Sequence, residues 1–252
     1  MSTSLRAHAL AARDQAYAPF SRQPVGVALG LASGQWVAVP RIESASFPLT
    51  IPALQGAWAL AAPLRKPIVA AASSRPFAKS ELAFLAEVTG KEWTRETPDV
   101  ATCAPTPDWT DELVVERSGS APATDDDAAA VALEAAAHAI VPASDFRVGA
   151  VLIDDSGRWV TGVNVEHVGD WTRGLCGERS ALVAARVAGL GPISRIVLAC
   201  PKAPGATPCG GCRQLVAEQA PNATIVLWNG SEPPQIVTPD ALLPGAFTGD
   251  SL

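Results

Sequence analysis

The chain has 252 residues, room for one large or two modest domains with cores of their own, and 48% of them are hydrophobic against 17% charged. That balance excludes a disordered chain and suits a globular enzyme. A formal net charge of -6 and a pI near 5.1 offer phosphate backbones and anionic membranes no long-range attraction, so neither nucleic acid nor a membrane is an expected partner.

Taken in order, the pattern predicts a helix over 5–17, strands over 25–31 and 35–41, a helix over 53–62, a strand over 67–72 and a helix over 79–88. Residues 98–125 are rich in Pro, Ser, Thr, Gly and Asp with little periodicity, which predicts a linker with a short ordered piece at 113–116. Beyond it, Asp125-Asp126-Asp127 caps an Ala-rich helix to about Ile140. Strands follow over 148–154 and 159–165 around a turn at 155–157, then helix 176–187, strand 193–199, helix 209–218 and strand 224–228. Alternation of this kind indicates an α/β layered fold. Met1 to Gln15 lacks the apolar stretch of a secretory signal, and no run of about 18 uncharged apolar residues occurs.

The fold is written twice. At a constant offset of 123, Pro19, Ser21, Val25, Gly26, Leu29, Ser33, Gly34, Trp36, Val37 and Glu43 recur as Pro142, Ser144, Val148, Gly149, Leu152, Ser156, Gly157, Trp159, Val160 and Glu166. Self-similarity of this length without a gap marks the halves as duplicates.

The chemistry-bearing stretch is Thr207-Pro208-Cys209-Gly210-Gly211-Cys212-Arg213-Gln214, with Cys176-Gly177-Glu178-Arg179 upstream. Two cysteines two residues apart can aim both sulfurs at one metal, and Cys176 supplies a third ligand. Structural zinc sites close with four protein ligands, whereas catalytic ones keep three and leave a position for water. Glu178, two residues beyond Cys176, is suited to move protons rather than to ligate. Both helices are expected to begin at their cysteines, where free N–H groups and the positive dipole end favour thiolates. Five cysteines, an odd count with three in a metal pattern, indicate a reducing compartment. Cys200 reads as a small buried hydrophobe and Cys103 as chemically idle. His8 and His138 read as packing or surface residues. His167 beside Glu166 reads as a substrate contact or as strand-end packing.

These motifs, with Asn164-Val165-Glu166 before them, resemble the cytidine deaminase family, zinc-dependent nucleoside deaminases with a Pro-Cys-x-x-Cys motif and a non-ligand glutamate. The resemblance runs from about Val141 to Phe247. It implies tandem three-layer α/β/α domains, each a mixed sheet of about five strands flanked by helices, at 1–98 and 126–252 with a linker at 99–125. Aligning the halves through their motifs sets Pro52 opposite Cys176, Leu54 opposite Glu178, Phe77 opposite Cys209 and Ser80 opposite Cys212. Those residues do not make a zinc site, so the first half is expected to be a degenerate, non-catalytic copy. One zinc ion per chain would then sit in the second half, on Cys176, Cys209 and Cys212, with Glu178 as the proton carrier.

Further roles follow from the resemblance. Arg179 would hydrogen-bond the ligand sulfurs and drain their charge. Asn164 and Glu166 would hold the ribose, Phe146 would pack on the base, and the N–H of Gly177 would meet the pyrimidine O2. The carbonyl of Thr207 would receive the departing amino group. The implied reaction is hydrolytic deamination of cytidine, and of deoxycytidine, in pyrimidine salvage in the cytoplasm. A homodimer of four deaminase-like units is implied, with Phe47 and Phe247 resembling aromatics that complete neighbouring sites. Departures from the family pattern are Gly177 for alanine, Ala143 for tyrosine, and the run His167 to Trp171. They leave open a deaminase of a modified cytosine nucleoside or nucleoside antibiotic. A non-enzymatic zinc-binding protein is the remaining reading.

Overall fold

The computed structural model describes residues 2–113, 115, 117 and 119–249. The first half runs α1 (Ser2–Asp14), β1 (Gly26–Leu31), β2 (Gln35–Pro40), α2 (Ala53–Ala61), β3 (Ile68–Ser73), α3 (Lys79–Thr89), β4 (Thr94–Thr97), β5 (Val100–Thr102) and β6 (Asp111–Glu112). The second runs α4 (Asp125–Ala136), β7 (Gly149–Asp154), β8 (Trp159–Val163), α5 (Gly177–Ala188), β9 (Ile193–Ala199), α6 (Gly210–Gln219), β10 (Thr224–Asn229), β11 (Glu232–Val237) and α7 (Pro239–Leu242). The first sheet has six strands in the order β4-β5-β3-β1-β2-β6, the second five in the order β11-β10-β9-β7-β8. Both are mixed: β2–β6 and β9–β10 are the parallel pairs, and every other pairing is antiparallel.

Successive side chains of a strand face opposite layers, and in β1 and β7 both faces are buried. In β7, Val151 and Ile153 face Ala128 and Ala132 of α4, while Ala150 and Leu152 face the core shared with α5 and α6. The first sheet does the same with Ala28 toward α1 and Val27 and Leu29 toward α2. The inner layers then merge. Val39 and Ala57 belong to the same buried cluster as Val160, Ala181 and Val183, and α2 packs on α5. The two halves thus form one body around a common core.

The repeat holds at atomic detail. An added Cβ on Gly26 would lie 2.2 Å from the carbonyl oxygen of Ala9, and one on Gly149 1.8 Å from that of Ala132. Tyr17 bridges Ile42 as Ile140 bridges Val165, and Ile42 bridges Ile51 as Val165 bridges Leu175.

Several expectations are corrected. Segment 99–125 supplies β5 and β6 to the first sheet rather than forming a plain linker. It also straps the two sheets together, with Leu113 N donating to Trp36 O (2.6 Å) and Arg117 N to Trp159 O (3.0 Å). Of the ordered piece expected at 113–116, Val114 and Glu116 lie outside the described residues. The cap of α4 is Thr124, whose hydroxyl accepts from Asp127 N while the Asp127 carboxylate accepts from Thr124 N; the three aspartates fill the first turn instead. That helix stops at Ala136, because Ile140 N turns to donate to Asn164 O. β4, β11 and α7 were not expected; the two prolines of β11 mask a sheet edge.

Candidate active site

Cys176 is the N-cap of α5 and Cys209 the N-cap of α6, as expected; Cys212 lies in the first turn of α6. Their sulfurs lie within 4.8 Å of one another, with Cys176 Sγ and Cys209 Sγ 3.8 Å apart. Cys212 is buried, Cys176 half-buried and Cys209 exposed. Hydrogen bonds from Cys176 and Cys212, then backbone N–H groups of Cys212 and Gly211, hold Cys209 well below the usual thiol range. The same sharing pushes Cys176 and Cys212 up. The backbone share of the lowering at Cys209 fits the thiolate expected at a helix start, whereas Cys176, at the other helix start, is not lowered.

Glu178 occupies the first turn of α5 and is only 5% exposed. Burial pushes its carboxyl up to about 7, the charge at Cys209 adding to the rise and Arg179 opposing it. A carboxyl in that range can take and return a proton near neutral pH.

The segment bearing Asn164 and Glu166 is tied to the cysteine site through the backbone. Val165, between them, exchanges two hydrogen bonds of 2.9 Å with Leu175, the residue before Cys176. Val165 is fully buried, so its neighbours turn to the opposite face. Asn164 accepts from Val148 N (2.8 Å) and donates to Phe146 O (2.7 Å). Val148 in turn packs on Gly177: a Cβ there would stand 3.1 Å from Val148 O and from its Cγ1. Phe146 is 39% exposed. Glu166 accepts from Ala143 N (2.9 Å), Ser144 N (3.2 Å) and Ser144 Oγ. Glu43 repeats this set in the first half, accepting from Phe20 N and Ser21 N, both 3.1 Å, and from Ser21 Oγ, with Arg41 at 3.5 Å.

Arg179 and His167 both reach to the first half. Among the described residues Arg179 forms no hydrogen bond to a cysteine sulfur. Its Nη2 donates to Leu49 O of the first half (3.2 Å), and its Nε is buried without a partner. His167 takes the packing role, of the two read from the sequence, and docks on the first half. Its ring stacks on Phe84 (5.5 Å) and meets Trp58 edge-on (6.1 Å). Its Nε2 lies 3.2 Å from Glu87, and its Nδ1 accepts from Asp170 N (2.9 Å). The buried rings of Trp58 and Phe84 receive it. Thr207 is fixed through its hydroxyl, which accepts from Arg213 Nη2 (2.7 Å). Phe47 and Phe247 are exposed, at 83% and 48%.

Sequence reasoning passed over Leu49, Gln214 and Glu218. Leu49 abuts the metal loop: a Cβ on Gly211 would lie 3.0 Å from Leu49 Cδ2. The available signal was Gln214 and Glu218 at four-residue spacing directly after the Cys-x-x-Cys pair.

Three convergent sulfurs are soft donors that suit zinc, and the set is one ligand short of a closed structural site. Arg179, next in sequence to Glu178, keeps a buried Nε donor without a partner. A layered α/β half with this site at two helix N-termini and a buried glutamate alongside defines the class of zinc-dependent deaminases.

Comparison with known proteins narrows the class. A family model described as the cytidine and deoxycytidylate deaminase zinc-binding region matches residues 122–228, and a second model of that description matches 1–71. The cytidine deaminase of Halalkalibacterium halodurans is 37% identical over 124 residues, which are 48% of this chain and 92% of the relative. That of Mycobacterium tuberculosis is 38% identical over 123 residues, 48% of this chain and 87% of the relative. A crystal structure of cytidine deaminase from Burkholderia pseudomallei matches at 33% identity over 49% of this chain and 99% of that one, with a TM-score of 0.47. The chain belongs to the cytidine deaminase family, hydrolytic enzymes with a zinc-binding region.

Proposed function

We propose that the protein hydrolytically deaminates cytidine, and deoxycytidine, to the uracil nucleoside and ammonia, serving pyrimidine salvage in the cytoplasm. The observation that carries this reading is the convergence of three cysteine sulfurs at two helix N-termini beside the buried Glu178. Cys176, Cys209 and Cys212 would hold one zinc ion per chain, which when bound supplies a Lewis acid that lowers the pKa of water toward about 7.

The remaining work falls to the chain. Glu178 takes a proton from the attacking water, gives it to the ring N3, and later carries a proton to the departing amino group. Its burial keeps the protonated form accessible near neutral pH. Phe146 offers a half-open aromatic face to the base. Asn164 and Glu166, on one face of the strand end that leads to Cys176, hold the sugar hydroxyls. A carboxylate there repels a 3'-phosphate, which favours a free nucleoside over a polynucleotide. The Gly177 N–H and the Thr207 carbonyl complete the contacts to the pyrimidine. Arg179 offsets the negative charge of the sulfurs, with the unpaired Nε as the donor.

The first half, residues 1–98, is a non-catalytic copy. Leu54 and Phe77, opposite Glu178 and Cys209, are buried among core residues and offer no ligand or proton carrier. The exposed Phe47 and Phe247 and the exposed Trp171 support a homodimer in which a second copy covers them. The run His167 to Trp171 gave a modified nucleoside its standing as an alternative substrate. With His167 packed on the first half, that ground is weakened.

The test is the ultraviolet change on mixing zinc-loaded protein with cytidine, with Glu178→Gln as control. Conversion by the native chain alone, with zinc retained in both proteins, is the expected result. Full activity in Glu178→Gln, or no turnover by a zinc-loaded native chain, would overturn the reading.

A further inference from the structure

Helix α6 carries more than its two ligands. Gln214 and Glu218 lie four residues apart and so share a face. Gln214 is 7% exposed, and a buried amide needs partners. Its Nε2 donates to Glu218 Oε1 and to the carbonyl oxygen of Phe247, both at 2.6 Å. Glu218 Oε1 also accepts from Ser44 Oγ (2.7 Å), and its Oε2 accepts from Ala45 N (2.9 Å). One carboxylate therefore gathers the first-half loop, the C-terminal segment and the helix that starts at the metal-site cysteines.

The loop it grips leads directly to the site. Ser44 is 2% exposed; its hydroxyl accepts from Ser46 N (3.1 Å), and its N–H donates to Thr50 Oγ1 (3.3 Å), closing the turn over 44–50. At the far side of that turn, Leu49 O receives the Arg179 guanidinium and the Leu49 side chain abuts Gly211. Three donors converge on Glu218, and an ionised carboxylate is the side chain that only accepts. With Phe77 opposite Cys209 and Ser80 opposite Cys212, the residues opposite Gln214 and Glu218 in α3 are Leu82 and Ala86. The half without the metal motif lacks the pair. The reciprocal loop there is held by other means, His167 and Arg173 on Glu87.

We propose that Glu218 is a positioning residue for the deaminase site: by holding Ser44 and Ala45 it seats the first-half loop against Arg179 and the metal loop, and through Gln214 it seats Phe247. The proposal rests on the deaminase reading above. It also gives the non-catalytic half a task within the same chain, as a wall of the site it does not itself contain.

The test uses full-length, zinc-loaded protein in four forms: native, Glu218→Ala, Ser44→Ala and the double variant. Zinc content stays at the native value in all four. KM for cytidine rises about tenfold or more in Glu218→Ala with kcat changed less, as loss of a charge-assisted contact of about 1.5 kcal/mol or more requires. Ser44→Ala raises KM by a smaller factor, and its added effect in the Glu218→Ala background is smaller than in the native one, because the two share the contact between Ser44 Oγ and Glu218. Hydrogen exchange of the 45–49 amides accelerates in Glu218→Ala while that of 210–216 does not. Native KM in Glu218→Ala, multiplicative effects of the two substitutions, or unchanged exchange over 45–49 would overturn the proposal. A purely structural role would lower Tm and leave KM alone. Should Glu218→Ala fail to fold, Ser44→Ala carries the same KM and exchange readouts. An inactive native protein would sink the deaminase reading instead, and the exchange measurement would still decide whether Glu218 seats the loop.

Discussion

Glu43 and Glu166 form an internal control, because the same carboxylate braces the same turn in both halves. Replacing either by Gln leaves its carbonyl to accept the two backbone N–H groups and turns its NH2 toward the seryl oxygen, which can accept. Geometry is preserved and charge assistance is lost. Ionic hydrogen bonds are about twice as strong as neutral ones of about 1 kcal/mol, so over these three bonds the cost is about 3 kcal/mol. For a chain of this size that lowers Tm by about 6–12 °C, and by somewhat more in Glu43→Gln, which also loses the 3.5 Å contact with Arg41. The two diverge in kinetics. If Glu166 also holds a sugar hydroxyl, losing a bond to a charged group raises KM about 10- to 100-fold in Glu166→Gln. Glu43→Gln also lowers Tm but keeps the native KM. Differential scanning fluorimetry and steady-state kinetics on cytidine measure both quantities. Equal KM values in the two variants would reduce Glu166 to a brace of the fold and remove it from the substrate contacts.

Gly149→Ala and Gly26→Ala should each cost about 3 kcal/mol, since the new methyl meets a helix carbonyl rather than a movable side chain; a denaturation midpoint at the native value in either would refute the packing argument. Acid should destabilise the fold through Asp154 and Asp99. Burial works against both charges, but hydrogen bonds from Ser156, Gly191 and Arg158 at Asp154, and from Arg6 and Thr97 at Asp99, win and hold the carboxyls below the ordinary range. The folded chain then binds fewer protons at these groups than the unfolded one. Their contribution is complete above about pH 4 and is lost as the pH falls through the lowered values. Urea midpoints measured from pH 7 downward should show this decline, shallower in Asp154→Asn; stability that rose on acidification would contradict the sign.

The metal site was legible because its residues are close in sequence and chemically singular. Cys209 and Cys212 share a helical turn, and Cys176 to Glu178 span another. The layered architecture was legible for a similar reason, since β1 and β7 are short apolar runs followed by turn residues, buried on both faces, and the repeat sets two such runs in register. What escaped depends on contacts between distant segments. β6 has two residues and exists because Gln35 and Trp36 pair with it. β4 is exposed on both faces, so it has no hydrophobic period to read. His167 sits next to a candidate substrate ligand in sequence, yet its ring is claimed by Trp58 and Phe84, more than eighty residues away. No local pattern encodes which half a loop will dock on.

The duplication also separates what the fold requires from what the chemistry requires. Gly26 and Gly149 are both kept, and each lets a helix carbonyl lie directly on the strand. Glu43 and Glu166 are both kept, and each closes the turn that precedes the first strand. Asn164 is different. Of its two backbone hydrogen bonds, the one donated to Phe146 O has a counterpart in the first half, where Arg41 stands in its place and donates to Gln23 O at 3.1 Å; the one accepted from Val148 N has none among the described residues. The first half nevertheless builds the same strands in the same register. The bond from Val148 N is therefore dispensable to the fold, and it is what sets the Asn164 amide apart from Arg41. By that comparison Asn164 is a stronger candidate for substrate contact than Glu166, whose carboxylate the fold would demand even with no nucleoside to bind.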